Sequence, residues 1–404
     1  MRFVLVNQYY PPDRAPTGRA LHDVARVLVE RGHDVRVLCS TRSYEDGERF
    51  ASRVLDGVRV DRVPALGLGR ESAGRRIADY ASFGLLLAPR LLAGPRSDLA
   101  LALTTPPFLG AAVAAVCRLR GLRHAHWVMD LYPDALFAHG LATGARSSSF
   151  FRRLARGQWR DACLVLCLGD RVAARAAPYL APDVPLEVVP LWGEGAKERE
   201  PDAATLQAVR AERGWRQGEL VFLASGNLGL AHRFREFLEA AAHLGASGPL
   251  WVFAGGGGRR AEIEDFAANH PCSRIRLLPL LAQSHAGNAL LAADVHLASL
   301  DPRWLGVSVP SKVPAAFSLG RPVLFLGPPE SESARAIEES GGGWVVSPGD
   351  VQGVLAAVAA AGDPQERLRR GRAARSYARD HFDPGRNSAR VADLLEKAGG
   401  LSRG

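Results

Sequence analysis

No glycine in this chain is followed by lysine, so the G-x-x-x-x-G-K-[ST] loop of P-loop kinases and ATPases is missing. No G-x-S-x-G is present either, which removes the nucleophile elbow of serine hydrolases. The loop after the first strand holds one glycine, Gly18, and no G-x-G-x-x-G. Gly255–Gly258 follows a strand but places Arg260 where helix packing wants Gly or Ala, so it reads better as a permissive turn than as a nicotinamide fingerprint. Five cysteines form no Cys-x2-Cys pair; Cys163 and Cys167 are about 13 Å apart along a strand, which fits free thiols in a reducing cytoplasm. His124 and His126 alternate in a strand with no third ligand at zinc spacing, and no Asp-x-Asp offers a bridge for a divalent cation, so no metal is expected. The N-terminus enters a strand at once and lacks a signal peptide's apolar region. The 19 uncharged residues Leu99 to Cys117 are cut by Pro106-Pro107 into a strand and an Ala-rich helix, and do not read as a membrane span.

Of 404 residues, 47% are hydrophobic and 23% charged, which suits a soluble chain of two domains. The formal charge of +9 favours an anionic partner: a membrane surface, a nucleic acid or a phosphorylated substrate. It is carried almost wholly by arginine, the lysines being only Lys197, Lys312 and Lys397.

Phe3–Val6, a helix with Leu21, Val24, Ala25 and Leu28 on one face, and Val35–Cys39 make a β-α-β unit, with Thr17 as candidate helix cap. Strands at Val58–Val60, Leu99–Leu103, His124–Val128 and Cys163–Leu168 continue the series. A second series runs through Leu220–Ala224, Leu250–Ala254, Ile275–Leu278, Val295–Leu300, Pro322–Leu326 and Gly343–Val346. The expected class is α/β, two doubly wound Rossmann-like domains facing a cleft: residues 1–192, a connection at 193–219, residues 220–375, and a C-terminal helix at 376–404.

Three polar clusters fall at the carboxyl ends of strands in the second series. Ser225-Gly226-Asn227-Leu228-Gly229 opens a loop whose N–H groups can face a phosphate, with His232 and Arg233 expected to begin the next helix. Pro310-Ser311-Lys312 puts an unusual lysine at a helix start, as a diphosphate partner or a solvated surface residue. Glu330-Ser331-Glu332 opens another helix, where Glu332 serves as a cap or as an acceptor for a ribose diol. Together they describe a nucleotide-diphosphate site that needs no metal.

With these residues the chain resembles the family 4 glycosyltransferases of GT-B fold, in the bacterial O-antigen and colanic-acid-type polysaccharide subgroup. The resemblance rests on Val6-Asn7-Gln8-Tyr9-Tyr10-Pro11-Pro12, Arg31-Gly32-His33-Asp34-Val35, Thr104-Thr105-Pro106-Pro107, Met129-Asp130-Leu131-Tyr132-Pro133-Asp134, Gly226-Asn227-Leu228-Gly229, Pro310-Ser311-Lys312 and Leu319-Gly320-Arg321-Pro322-Val323. It implies transfer, with retention of configuration, of a sugar from a nucleotide diphosphate sugar, a UDP-sugar by preference. No cofactor is implied. The N-terminal domain would bind the acceptor and the C-terminal domain the donor, and the C-terminal helix would cross back to the first domain. By this resemblance Gly226, Asn227, Gly229, Arg233, Ser311, Lys312 and Glu332 bind donor, and Lys312 neutralises the leaving diphosphate. Asp130 faces acceptor or reacting sugar unless it merely caps a helix, and Thr17, Gly18 and Asp134 lie on the acceptor side. The chain departs from the family at its E-x7-E pair, whose places are Val307 and Ala315. A GT-B-fold nucleotide-sugar epimerase and an inactive nucleotide-sugar binder are the alternatives.

Two basic, apolar segments suggest an anionic membrane surface on the cytoplasmic side and a polyprenyl- or lipid-linked acceptor, with no nucleic acid. One carries Arg70, Arg75, Arg76, Arg90 and Arg96 around Phe83 to Leu92. The other carries Arg152, Arg153, Arg156 and Arg160 beside Phe150, Phe151, Leu154 and Trp159, where Phe150 and Leu154, with Phe151, could instead form a core-facing stripe.

Overall fold

The strand expected at the N-terminus is β1 (Arg2–Val6), and it lies near the middle of an eight-stranded sheet. The others are β2 (Asp34–Ser40), β3 (Arg53–Leu55), β4 (Val58–Val63), β5 (Leu99–Leu103), β6 (Arg123–Val128), β7 (Leu164–Cys167) and β8 (Leu186–Val188), in the order β3-β4-β2-β1-β5-β6-β7-β8. All neighbours are parallel except β3 and β4. That pair is a hairpin whose Asp56-Gly57 turn takes φ of 47° and 77° at its two central residues, which the right-handed strand twist favours. The computed structural model describes residues 1–13, 15–43, 48–66, 73–193, 203–280 and 283–401.

Alternation along the strands decides which helix covers which face. Val4 and Val6 pack with Leu38, Val63, Ala100 and Ala102 under helices Ala73–Leu92 and Leu109–Arg120, which contribute Phe83, Leu87, Leu91, Val113 and Cys117. Helix Pro16–Glu30 buries the expected Leu21, Val24, Ala25 and Leu28. Its N-cap is Ala15, not Thr17; Thr17 stands inside the first turn and its hydroxyl accepts from Asn7 Nδ2 at 3.3 Å. Helix Pro384–Gly399 belongs to the same unit, fastened by buried Glu396, which accepts from Arg31 Nη1 at 3.1 Å and pairs with His33 Nε2 at 2.8 Å. The Arg-Gly-His motif is thus a clasp for that helix.

The second sheet contains β9 (Val221–Ser225), β10 (Leu250–Ala254), β11 (Ile275–Leu278), β12 (Val295–Ser299), β13 (Val323–Leu326) and β14 (Gly343–Val346), all parallel, in the order β11-β10-β9-β12-β13-β14. Phe222, Ala224, Trp251, Phe253, Leu324 and Leu326 face one core with Phe237 and Val354. Val221, Leu223, Leu250 and Val252 face another with Val209, Trp215, Ala289 and Ala292. At about 1.5–3 kcal/mol for each large apolar side chain fully buried, covering both faces is what makes these strands continuous apolar runs. Val209 and Trp215 come from the stretch read as the connection; residues 194–202 of that stretch lie outside the described residues. By contacts the chain divides into Met1–Pro190 with Gly306–Ser308 and Gly385–Gly404, and Leu191–Leu305 with Val309–Pro384.

All five cysteines are free; Cys39, Cys117 and Cys167 are buried as expected, but Cys272 is exposed. Among the described residues no helix is long and apolar enough to cross a membrane.

Candidate active site

Among the parallel strands of each sheet the order reverses once, between β1 and β5 and between β9 and β12. The carboxyl ends of strands beside such a reversal leave a crevice where doubly wound sheets bind ligands. Chain chemistry collects at both.

In the second unit, β9 runs into Gly226 and β12 into Ser299, Leu300 and Asp301. Gly226 takes φ of 105° and Gly255 takes 143°, and a Cβ on Gly255 would collide with the Gly226 carbonyl oxygen. A Cβ on Gly257 would stand 2.6 Å from Asn227 Oδ1 and from Leu228. Hydrogen bonds from Leu228 N–H to Gly256 O at 2.7 Å and from Arg259 N–H to Leu228 O at 2.9 Å close the contact. The four-glycine run is therefore not a merely permissive turn; it is the surface on which the Gly226–Gly229 loop rests.

Lys312 reaches this loop from helix Lys312–Ser318. Its Nζ donates to Asn227 O at 3.2 Å and lies 2.9 Å from His232 Nε2. His232 Nδ1 is 2.8 Å from the Ser299 carbonyl oxygen, which can only accept, so Nδ1 carries the proton and Nε2 accepts from lysine. Burial, then the adjacent Lys312 charge, push the His232 imidazolium down to about 3, keeping the ring neutral. Burial lowers the Lys312 ammonium to about 8, so it remains charged at neutral pH. A neutral acceptor and a carbonyl thus aim a half-buried cation without cancelling its charge.

The other expected donor residues fare differently. Gly226 N–H is occupied by Ala254 O at 2.9 Å, and so does not point at a ligand; Asn227 and Gly229 N–H make no hydrogen bond among the described residues. The next helix starts at Arg235, three residues beyond His232, with Glu236 in its first turn. Arg233 is tied to that buried glutamate at 2.7 Å, and Glu236 also accepts from Gly349 N–H at 2.6 Å. Although burial alone would raise the Glu236 carboxyl, Arg233 and Gly349 hold it below its ordinary range. Arg233 and the helix terminus therefore have a carboxylate partner already. Ser311 precedes the Lys312 helix but its side chain makes no capping bond. Ser331, not Glu332, caps helix Glu332–Ser340 by accepting from Ala334 N–H at 3.2 Å, and Glu332 stands in the first turn beyond β13.

In the first unit, Thr104 Oγ1 after β5 accepts from the N–H groups of Met129 at 3.0 Å and Asp130 at 3.1 Å. Asp130 caps no helix; it bridges Ser308, and Leu131 N–H donates to Val307 O at 2.8 Å. Burial raises the Asp130 carboxyl above its ordinary value, opposed by a hydrogen bond with Ser308. Val307 itself is fully buried, so an apolar contact replaces the first carboxylate of the family pair. Asp134 accepts from Arg175 Nε at 2.8 Å and the Tyr179 hydroxyl at 2.7 Å, and is buried inside the unit. Gly18 is needed for packing, since a Cβ there would lie 2.8 Å from Tyr9 O. Arg62, which no motif or spacing marked, is a buried guanidinium on β4 that donates to Ser40 O, Tyr10 O and Pro11 O and holds the loop beside Gly18.

Arg70 lies outside the described residues, as does the Arg76 side chain. Along helix Ala73–Leu92, Phe83, Leu87 and Leu91 are buried while Leu85, Leu86 and Leu92 are exposed. On helix Ala145–Trp159 the core side is Ala155, Gln158 and Trp159; Phe150 is 62% exposed and so belongs to no core-facing stripe.

Residues 17–192 match the glycosyl transferase 4-like domain. The chain is 21% identical over 371 residues, 89% of its length and 91% of the other, to the Escherichia coli (strain K12) protein WcaI, whose name places it in colanic acid biosynthesis as a glycosyl transferase. It is 25% identical over 262 residues, 63% of this chain and 64% of the other, to WbjE of Pseudomonas aeruginosa, named as a glycosyltransferase. Its fold matches WaaG, a glycosyltransferase of lipopolysaccharide biosynthesis, with a TM-score of 0.70 at 17% identity over 98% and 99% of the two chains. It also matches Anabaena HepE, solved with UDP-glucose, with a TM-score of 0.71 at 14% identity over 98% and 100%.

Proposed function

We propose that this chain, whose residues 17–192 match the glycosyl transferase 4-like domain, is a family 4 glycosyltransferase of GT-B fold that transfers a sugar from a UDP-sugar to a lipid-linked acceptor, with retention of configuration, in the synthesis of a cell-surface polysaccharide or glycolipid. The observation that carries the proposal is the Lys312 ammonium aimed by His232 and Asn227 at the strand-order reversal of the second sheet. The UDP and UDP-glucose complexes of HepE favour a nucleotide diphosphate as donor.

Breaking a glycosyl–phosphate bond leaves negative charge on the departing diphosphate. A fixed cation gains more from that charge in the transition state than in the ground state, and it needs no reorganisation to do so. Lys312 supplies this charge, and the Asn227 and Gly229 N–H groups add neutral donors. Glu332, one strand further along at the end of β13, is the candidate for the ribose diol in place of the absent family carboxylate. In the first unit Asp130 holds the acceptor hydroxyl, its amide fixed by Thr104. Because lysine provides the countercharge, transfer proceeds without a divalent cation.

The exposed Leu85, Leu86 and Leu92, with Arg75, Arg90 and Arg96 exposed on or just beyond the same helix, support peripheral contact with an anionic leaflet on the cytoplasmic face. The test is nucleotide release from a panel of UDP-sugars with and without EDTA, followed by analysis of the product anomer. No UDP release or UDP-sugar isomerisation alone would overturn the transferase reading. Flotation with anionic vesicles at low and high salt tests the membrane contact.

A further inference from the structure

The second unit has a cavity at the end of its sheet opposite Lys312. Its volume is about 210 Å³, and its lining includes Arg216, Glu219, Leu250, Arg274, Ile275 and Arg276. Leu250 begins β10 and Arg274 immediately precedes β11, so the cavity lies at the amino ends of two neighbouring parallel strands. The five residues of β10 separate it from the Gly255 loop by about 16 Å at the usual strand rise. A ligand held here is therefore not the donor diphosphate.

Three arginines line the cavity against one carboxylate, and that carboxylate is already engaged. Glu219 is buried, pairs with Arg274 and accepts from Arg216 N–H at 2.8 Å. Arg274 is further engaged through Nη1, which donates to Gly248 O at 2.6 Å. Arg276 has no carboxylate: Nη1 donates to Arg213 O at 2.8 Å, while Nε and Nη2 make no hydrogen bond among the described residues. The exposed Arg216 guanidinium makes no hydrogen bond or ion pair among the described residues. Neighbouring Arg213, whose carbonyl Arg276 holds, has its own Nε buried without an acceptor. A desolvated donor without an acceptor is unfavourable, and a nearby anion relieves it.

The lining also selects the class of ligand. Guanidinium forks take phosphate oxygens in pairs, and a diphosphate has oxygens enough for Arg216 and Arg276 together. Leu250 and Ile275 offer no polar side chain with which to read a sugar or a base, so recognition rests on the phosphate groups. We infer that Arg216 and Arg276 bind a diphosphate group at the amino ends of β10 and β11, in a site separate from that of Lys312. The inference does not depend on the transferase reading.

The test is calorimetric titration of inorganic diphosphate into the full chain at about 0.15 M salt, where exposed charges are screened beyond about 8 Å. Saturable binding is expected, and Lys312→Ala should retain it. Arg216→Ala should weaken it about tenfold, and Arg216→Glu should remove it. Arg216 is exposed and its side chain is unbonded, so both variants should keep the parent melting temperature. Arg276→Lys keeps the charge but loses the fork, and should also weaken binding. UDP added to the Lys312→Ala protein separates two sources of the group. Competition assigns the site to a nucleotide diphosphate and independent binding to free diphosphate, either in support of the site. Absence of saturable binding would overturn it. So would binding that survives Arg216→Glu, or that is lost in Lys312→Ala and so belongs to the donor loop.

Discussion

His232 presents a bare ring nitrogen to the Lys312 ammonium 2.9 Å away because its other nitrogen is committed to the Ser299 carbonyl. In the proposed transfer, losing Lys312 removes the countercharge of a developing oxyanion, at a cost of about 2–4 kcal/mol of barrier. Lys312→Ala should therefore reduce kcat by about a hundredfold or more while leaving the melting temperature close to the parent. Equal turnover at saturating donor would exclude the lysine from the reaction. His232→Ala should act more mildly and chiefly on donor KM, because it loosens the ammonium without deleting it.

The alkaline limb of the activity profile should report the same group. The Lys312 pKa is lowered by burial to about 8, so the active, charged form dominates below that pH and is lost as pH rises through it. Activity that stays flat to about pH 10, the ordinary lysine range, would contradict this assignment.

Acid should unfold the protein earlier than its carboxylates alone require. Burial depresses His232 to about 3 and His296 to about 4, and lowers His124 and His126 as well. Each takes up a proton near 6.5 when unfolded but not when folded, so stability is full above that pH and declines as pH falls below it. For His232 and His296 the loss is about 2 kcal/mol apiece by pH 5. Denaturant midpoints at pH 7.5 and 5 measure the effect, and replacing His296 with Gln should reduce the difference.

Asp134→Ala should destabilise the first unit by about 2 kcal/mol, because Arg175 is left without its carboxylate and the Tyr179 hydroxyl without its acceptor. A variant with parent stability and raised acceptor KM would instead support Asp134 on the acceptor side.

The second sheet was legible in sequence because β9, β10 and β13 are apolar on both faces and each of the other three strands carries an apolar stretch, whereas β3, Arg53–Leu55, is a short exposed edge with no such run. Its Asp56-Gly57 turn was the readable signal. Lys312 stood out as a lysine in an arginine-coated chain. His232 did not, since its role depends on a carbonyl from β12, 67 positions away. The pairing of Arg233 with Glu236 three residues later was not read from the sequence, and helical spacing alone could not tell that Phe150 faces solvent.

Gly255→Ala should abolish the contact with the Gly226 carbonyl and force a strained φ, at a cost of about 2–3 kcal/mol or more. Donor affinity should fall with it, and a thermal melt paired with UDP-glucose titration measures both.

The glycine contact also has a mechanical meaning. Asn227 supplies the carbonyl on which Lys312 leans, and Gly255 and Gly257 of the neighbouring strand's loop supply the wall behind it. Any side chain added to that wall would push the loop outward and swing the ammonium with it. A random screen for inactive variants should therefore return changes at Gly255 and Gly257 as readily as changes at Lys312, and charge-based engineering of the donor pocket must treat both loops as a single hinge-free part.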